Sequence, residues 1–145
     1  MEKNKINNLL LLSLASREIL HAAKNFFADL GIDMPVESIK VLLVVYYSNE
    51  DAIQQEIADA VKKDKSTILR LVDNLEEKNL VQRIVDPNDR RRNIIRVTED
   101  GIGLINKINS KLEELYSLLS EGIKPADLDI FVKVLGQFRA KVATV

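Results

Sequence analysis

The chain has no cysteine. That excludes disulfides, thiolate-held metal and a thiol redox sensor. It has one histidine, His21, so a multi-histidine zinc site is not expected. Three prolines and five glycines leave long stretches free for helix. No segment reads as a membrane span. The run Leu9-Leu10-Leu11-Leu12-Ser13-Leu14-Ala15 behind a lysine-containing start has the outline of a weak export signal. It is short, however, and flows into Arg17, Glu18 and further helix-spaced apolar residues. The preferred reading is an N-terminal helix buried in an interface of a cytoplasmic protein. Catalytic signatures are missing too. There is no G-x-S-x-G elbow and no glycine-rich phosphate loop, and one histidine without a marked partner makes no triad. The expectation is a non-enzyme with neither cofactor nor metal site.

What is present suits one domain. A length of 145 residues, 46% hydrophobic and 30% charged, is enough to bury a real core. The charge is unevenly placed. Residues 62–96 hold ten Lys/Arg against six Asp/Glu, a net +4. The rest holds eleven against sixteen, a net −5, and the whole sums to −1. Positive charge gathered into one segment is the expected footprint of a surface that meets phosphates.

Apolar residues Ile6, Leu9, Leu10, Leu14, Ile19, Ala23, Phe26, Phe27 and Leu30 are helix-spaced over 6–30, and Gly31 supplies a stop. This helix has more apolar surface than one small core needs. Pro35 opens the next element, 36–48. Its run Val41 to Tyr47 is β-branched enough for a strand. The proline start and the lack of alternation favour a buried helix with Tyr46 and Tyr47 in the core, or with one of the two bordering a ligand cleft. Residues 54–61 read as a short helix burying Ile57, Ala58 and Val61.

After a turn at Lys62-Lys63, Asp64 caps a helix over 65–79. Ile68, Leu71, Val72 and Leu75 form its inner stripe at i, i+3, i+4 and i+7. Ser66, Leu69, Arg70 and Asp73 point the other way. The N-terminal half is basic and hydroxylated. The acids Asp73, Glu76 and Glu77 lie in the C-terminal half. A helix entering a DNA major groove N-terminus first wants that split. Asn79 suits a left-handed cap. Val81–Val85 and Asn93–Val97 are β-rich runs around Asp86-Pro87-Asn88-Asp89-Arg90-Arg91-Arg92, which predicts a hairpin with an arginine-loaded turn. Thr98 caps a long helix carrying Leu104, Ile105, Ile108, Leu112, Leu115, Leu118 and Leu119 to about Gly122. A last helix, 125–143, carries Leu128, Phe131, Val132, Leu135, Phe138 and Val142.

These pieces resemble the MarR family of transcriptional regulators. The matching segments are Asp64-Lys65-Ser66-Thr67, Leu71-Val72-Asp73-Asn74-Leu75-Glu76, Asn79-Leu80-Val81-Gln82-Arg83, Asp89-Arg90-Arg91 and Val97-Thr98-Glu99-Asp100-Gly101. The close match spans about 45 residues, and the order of the flanking helices extends it to nearly the whole chain. Three departures from the family pattern stand out. Asn79 replaces the usual Gly, Ile53 stands where a capping Ser or Thr is common, and Arg92 replaces a small residue. The helix start after Ile53 is therefore expected to fray.

The resemblance implies a mostly α fold with a small β-hairpin wing. It comprises a winged helix-turn-helix DNA-binding lobe (36–98) and N- and C-terminal dimerisation helices (1–34 and 99–145), in one domain over 1–145. It implies a homodimer acting as a ligand-responsive repressor on pseudo-palindromic double-stranded DNA. It also implies a cleft for a small aromatic or apolar anionic effector, lined by the first, second and long fifth helices. By the same pattern Lys65, Ser66, Thr67 and Arg70 lie on the recognition helix. Arg90, Arg91 and Arg92 form the wing tip, with Arg91 entering the minor groove and Asp89 bracing it.

Simpler readings compete. Arginine runs at hairpin tips are often only solvated, Asp89 alone would be a turn residue, and Ser66 and Thr67 suit any helix first turn. Leu69 is either idle packing or a contact for a thymine methyl. His21 is better read as structural than as a sensor. The competing function is a winged-helix module that docks onto protein and has no operator.

Overall fold

The computed structural model describes residues 2–28, 30–48, 52–142 and 144. Helix α1 (Glu2–Ala28) is followed by Gly31 at φ +65°, a left-handed stop that glycine adopts without steric cost. Helix α2 (Val36–Tyr47) follows Pro35, whose carbonyl accepts from Ser38 N–H at 2.9 Å. The ambiguous β-branched run is therefore helical. Val41 and Leu42 are fully buried, and Ile39 and Val45 nearly so, which outweighs their strand preference. Tyr46 and Tyr47 are not core residues as expected; they are 37% and 62% exposed. They follow Val45, the last buried position of α2, and their rings meet edge to face at 5.0 Å. The Tyr47 hydroxyl accepts from Asn109 Nδ2 at 3.0 Å.

Then come β1 (Ala52–Ile53), α3 (Gln54–Val61), α4 (Lys65–Glu77), β2 (Val81–Val85), β3 (Asn93–Val97), α5 (Glu99–Ser120) and α6 (Pro125–Val142). The predicted hairpin is present, with Val81 opposite Val97 and Val85 opposite Asn93. The sheet has one strand more than expected: β1 pairs antiparallel with β3, in the order β1-β3-β2. Ile53 does not leave the next helix frayed. Its N–H donates to Glu56 Oε2 at 3.1 Å, and its pairing with Ile94 holds the entry.

One cluster joins Val41 and Leu42 of α2, Ile57 of α3, the α4 stripe Ile68, Leu71, Val72 and Leu75, Ile95 of β3 and Ile105 of α5. A second gathers Phe27, Ile39 and Ile108. Each such side chain contributes about 1.5–3 kcal/mol by leaving water. Gly101 sits where α5 crosses the start of β2. A Cβ there would lie 2.2 Å from the Leu80 carbonyl oxygen.

Contacts divide the chain into residues 1–112 and 113–145. In the first part, α1 leaves Ile6, Leu9, Leu10 and Leu11 exposed. In the second, Leu115 is buried, but no described residue of α6 is. The end expected for α6 at Ala143 lies outside the described residues. No helix among the described residues is long and apolar enough to cross a membrane.

Candidate nucleic-acid interface

The site is built from the two ends of α4 and the hairpin beyond it. Lys62 takes a left-handed conformation, φ +53°, and turns the chain from α3 into α4. Asp64 then caps α4. Its carboxylate accepts from the Ser66 hydroxyl, from the Thr67 hydroxyl at 2.7 Å and from Thr67 N–H at 2.9 Å. Those donors, the Ser66 hydroxyl first, hold the Asp64 carboxyl well below the usual carboxylate range. With Ile68, Leu71, Val72 and Leu75 buried, Lys65, Ser66, Leu69, Arg70 and Asp73 are left exposed, and Thr67 is half-buried.

At the other end, Asn79 adopts φ +55° as expected. Thr98 does more than cap α5. Its hydroxyl accepts from Gly101 N–H at 3.1 Å and donates to the Asn79 carbonyl at 2.6 Å. Asn79 Nδ2 also donates to Asp100 at 2.7 Å. These contacts tie the exit of α4 to the start of α5.

The wing tip is an ordered turn. Asp86 N–H donates to the Arg92 carbonyl at 3.0 Å, and Asn88 N–H to Asp86 Oδ1 at 2.8 Å. The Asp89 carboxylate accepts from Arg91 N–H at 3.0 Å, and its carbonyl from Arg92 N–H at 2.9 Å. Asp89 thus holds the main chain under the arginines, as an Asx turn does. Arg90, Arg91 and Arg92 are all exposed. Among the described residues, no hydrogen bond or ion pair joins this tip to Lys65, Ser66, Thr67 or Arg70. The two groups are separate patches of one lobe.

The sequence reading missed Arg83. Its guanidinium on β2 pairs with both Asp73 and Glu76 of α4. Nothing in the local pattern marked this pairing, because periodicity within α4 says nothing about which strand packs beside it. A depression of about 400 Å³ lies between the end of α1 and the start of α2, bordered by Lys24, Phe27, Ile32, Met34, Glu37 and Ile39. Helix α5, expected as a third wall of the effector cleft, does not line it. His21 is exposed on α1.

Three short helices ending in a helix across the lobe, followed by a hairpin with a basic tip, define a winged helix-turn-helix protein. The MarR family model matches residues 37–92. The HTH-type transcriptional regulator MhqR of Bacillus subtilis (strain 168) is 33% identical over 125 residues, 83% of this chain and 84% of its own. The crystal structure of CouR from Rhodococcus jostii RHA1, bound to p-coumaroyl-CoA, is 30% identical with a TM-score of 0.75, covering 88% of each chain. A mutant of S. aureus MepR bound to an oligodeoxyribonucleotide is 26% identical with a TM-score of 0.65, covering 91% of this chain and 95% of its own. The chain belongs to the MarR family of transcriptional regulators.

Proposed function

We propose that this regulator binds a pseudo-palindromic double-stranded operator as a homodimer and represses until a small aromatic or apolar anionic effector releases it. Residues 36–98 read the DNA, and 1–34 with 99–145 form the dimer. Lys65, Ser66, Thr67 and Arg70 meet the major groove. Arg90, Arg91 and Arg92 reach the flanking minor groove, over the turn that Asp89 holds.

One contrast carries the reading. Arg83 is engaged by two acids, whereas Lys65, Arg70, Arg90, Arg91 and Arg92 have no ion-pair partner among the described residues. Cations without acid partners exchange their counterions for phosphates at little cost. The oligonucleotide bound to MepR supports the DNA reading, and the ligand of CouR supports effector control. The exposed apolar faces of α1 and α6 support the dimer.

The test is duplex binding across a salt series. Affinity is expected to fall about tenfold to a thousandfold over a modest rise in salt. A flat response defeats the DNA reading and favours a module that docks onto protein.

A further inference from the structure

Arg83 makes three donations to α4 and none outward to the candidate DNA face. Nη2 donates to Asp73 Oδ1, Nη1 to Glu76 Oε2, and the main-chain N–H to Glu76 Oε1 at 3.1 Å. The two acids stand three residues apart, so they share one face of the helix. The Arg83 side chain is only 20% exposed. Strand β2 is an edge strand in the order β1-β3-β2, and an outward edge N–H has no strand to pair with. Glu76 answers that N–H at Arg83. Side chain and main chain of one residue therefore dock on one helix.

Only Ile84 and Val85 separate Arg83 from the turn that begins at Asp86. Val85 is 56% exposed, so beyond Arg83 only the half-buried Ile84, opposite the buried Ile94, gives the outer end of β2 an apolar hold. A two-stranded ribbon left to itself twists and bends readily. The clamp ties β2 to α4 by ion pairs three residues before Asp86 opens the turn.

We propose that Arg83 is a positioning residue for the wing. It fixes the direction in which the hairpin leaves α4, and so the distance between major-groove and minor-groove contacts. The proposal rests on the DNA-binding reading above. Arginine suits the task because its planar fork reaches two carboxylates at once, which a lysine ammonium does not reproduce. The clamp also offsets one of the two negative charges of Asp73 and Glu76, which ride on the helix that approaches phosphate.

The test uses the full-length protein and a duplex that it selects from a random-sequence pool. Arg83→Met is expected to bind at least about tenfold more weakly, the loss of one or two charge-assisted contacts at the wing. Arg83→Lys should recover only part of this. The same Arg83→Met change, made where Arg90, Arg91 and Arg92 are already alanine, should have less than about a twofold effect, because a positioning residue has nothing left to position. Equal losses in both backgrounds would overturn the proposal, and so would unchanged binding by Arg83→Met.

Should Arg83→Met fail to fold, the clamp is broken from the other side with Asp73→Asn and Glu76→Gln together. That pair makes the protein more positive, so electrostatics alone predicts tighter DNA binding. Positioning predicts weaker binding and faster amide exchange across residues 84–92 in the free protein. Tighter binding with unchanged exchange refutes it. If the wild-type protein selects no duplex, the DNA-binding reading fails first, and this proposal falls with it.

Discussion

Thr67 donates twice to one carboxylate: its N–H to Asp64 Oδ1 at 2.9 Å and its hydroxyl to Asp64 Oδ2 at 2.7 Å. An orphan amide of the first turn of α4 is thereby satisfied, and the helix start is locked. Asp64 thus controls the end of the helix proposed to enter the groove.

This contact predicts a pH dependence. The folded carboxyl titrates well below its unfolded range. Its stabilisation is therefore complete above the unfolded value of about 3.9 and is lost as pH falls further. Asp64→Ala should lower the thermal midpoint at neutral pH, and its gap from wild type should shrink below about pH 4. Asp64 is solvent-exposed, so salt should trim the gap. A gap constant from about pH 2 to 6 would show that the ionised cap contributes nothing.

Neighbouring positions on α4 should behave oppositely. Ile68 is fully buried and Leu69 is 46% exposed. Urea unfolding should show Ile68→Ala costing about 2–5 kcal/mol and Leu69→Ala less than about 0.5 kcal/mol. Comparable losses at both would mean that α4 is rotated from the orientation described.

Gly101→Ala tests a close approach. In an open helix position alanine gains roughly 1 kcal/mol over glycine. Here its Cβ would meet the Leu80 carbonyl oxygen at 2.2 Å and Val97 Cγ1 at 2.6 Å. The backbone oxygen cannot swing aside, so a net loss of about 1–3 kcal/mol is expected. A more stable variant in denaturant titration would contradict the geometry. Gly103, which has no heavy atom within 4 Å of its added Cβ, is the control.

Arg70 and Arg91 should fail differently. Arg70→Ala should relax sequence preference at one position per half-site, at a cost of about 1–3 kcal/mol. Arg91→Ala should weaken binding to most sequences alike. Selection from random duplexes separates them. An unchanged consensus for Arg70→Ala, or full affinity for Arg91→Ala, refutes the assignment.

The dimer is tested by mass. Leu9 is 64% exposed and Leu135 39% exposed. Sedimentation at low micromolar concentration should give twice the chain mass for wild type. Aspartate at Leu9 or Leu135 should shift it toward the monomer. A wild-type monomer that still binds a palindrome tightly would sink the dimer and the twofold operator together.

Most of the lobe was legible because its signals are local. Apolar spacing alone picked out Ile68, Leu71, Val72 and Leu75 as the buried face of α4, and all four are buried. The bounds of β2 and β3 followed from β-rich runs around a Pro/Asn/Asp turn. Asp64 and Thr98 are legible as caps because their side chains act on main chain three residues away, and Asn79 because its residue type tolerates the left-handed backbone. Tyr46 and Tyr47 were misread because periodicity says which residues share a face but not where along the helix burial stops. Strand β1 escaped notice because two residues carry no alternation, and its partners Ile94 and Ile95 lie far along the chain.

Local pattern along the chain sets every element but β1, the caps at Asp64 and Thr98 and the location of positive charge. Each of these depends on interactions spanning one or two turns of chain. Tertiary structure decided which charges were spent and which stayed available. Arg83 lies inside a β-rich run and Arg90 in the turn that follows, and nothing in either segment says which of them meets an acid. Packing sets Arg83 against Asp73 and Glu76 of α4, while Arg90 projects from a turn whose two carboxylates, Asp86 and Asp89, are both turned toward main chain. The choice rests on which helix lies beside which strand edge, and only the folded core of α2, α3 and α4 settles that.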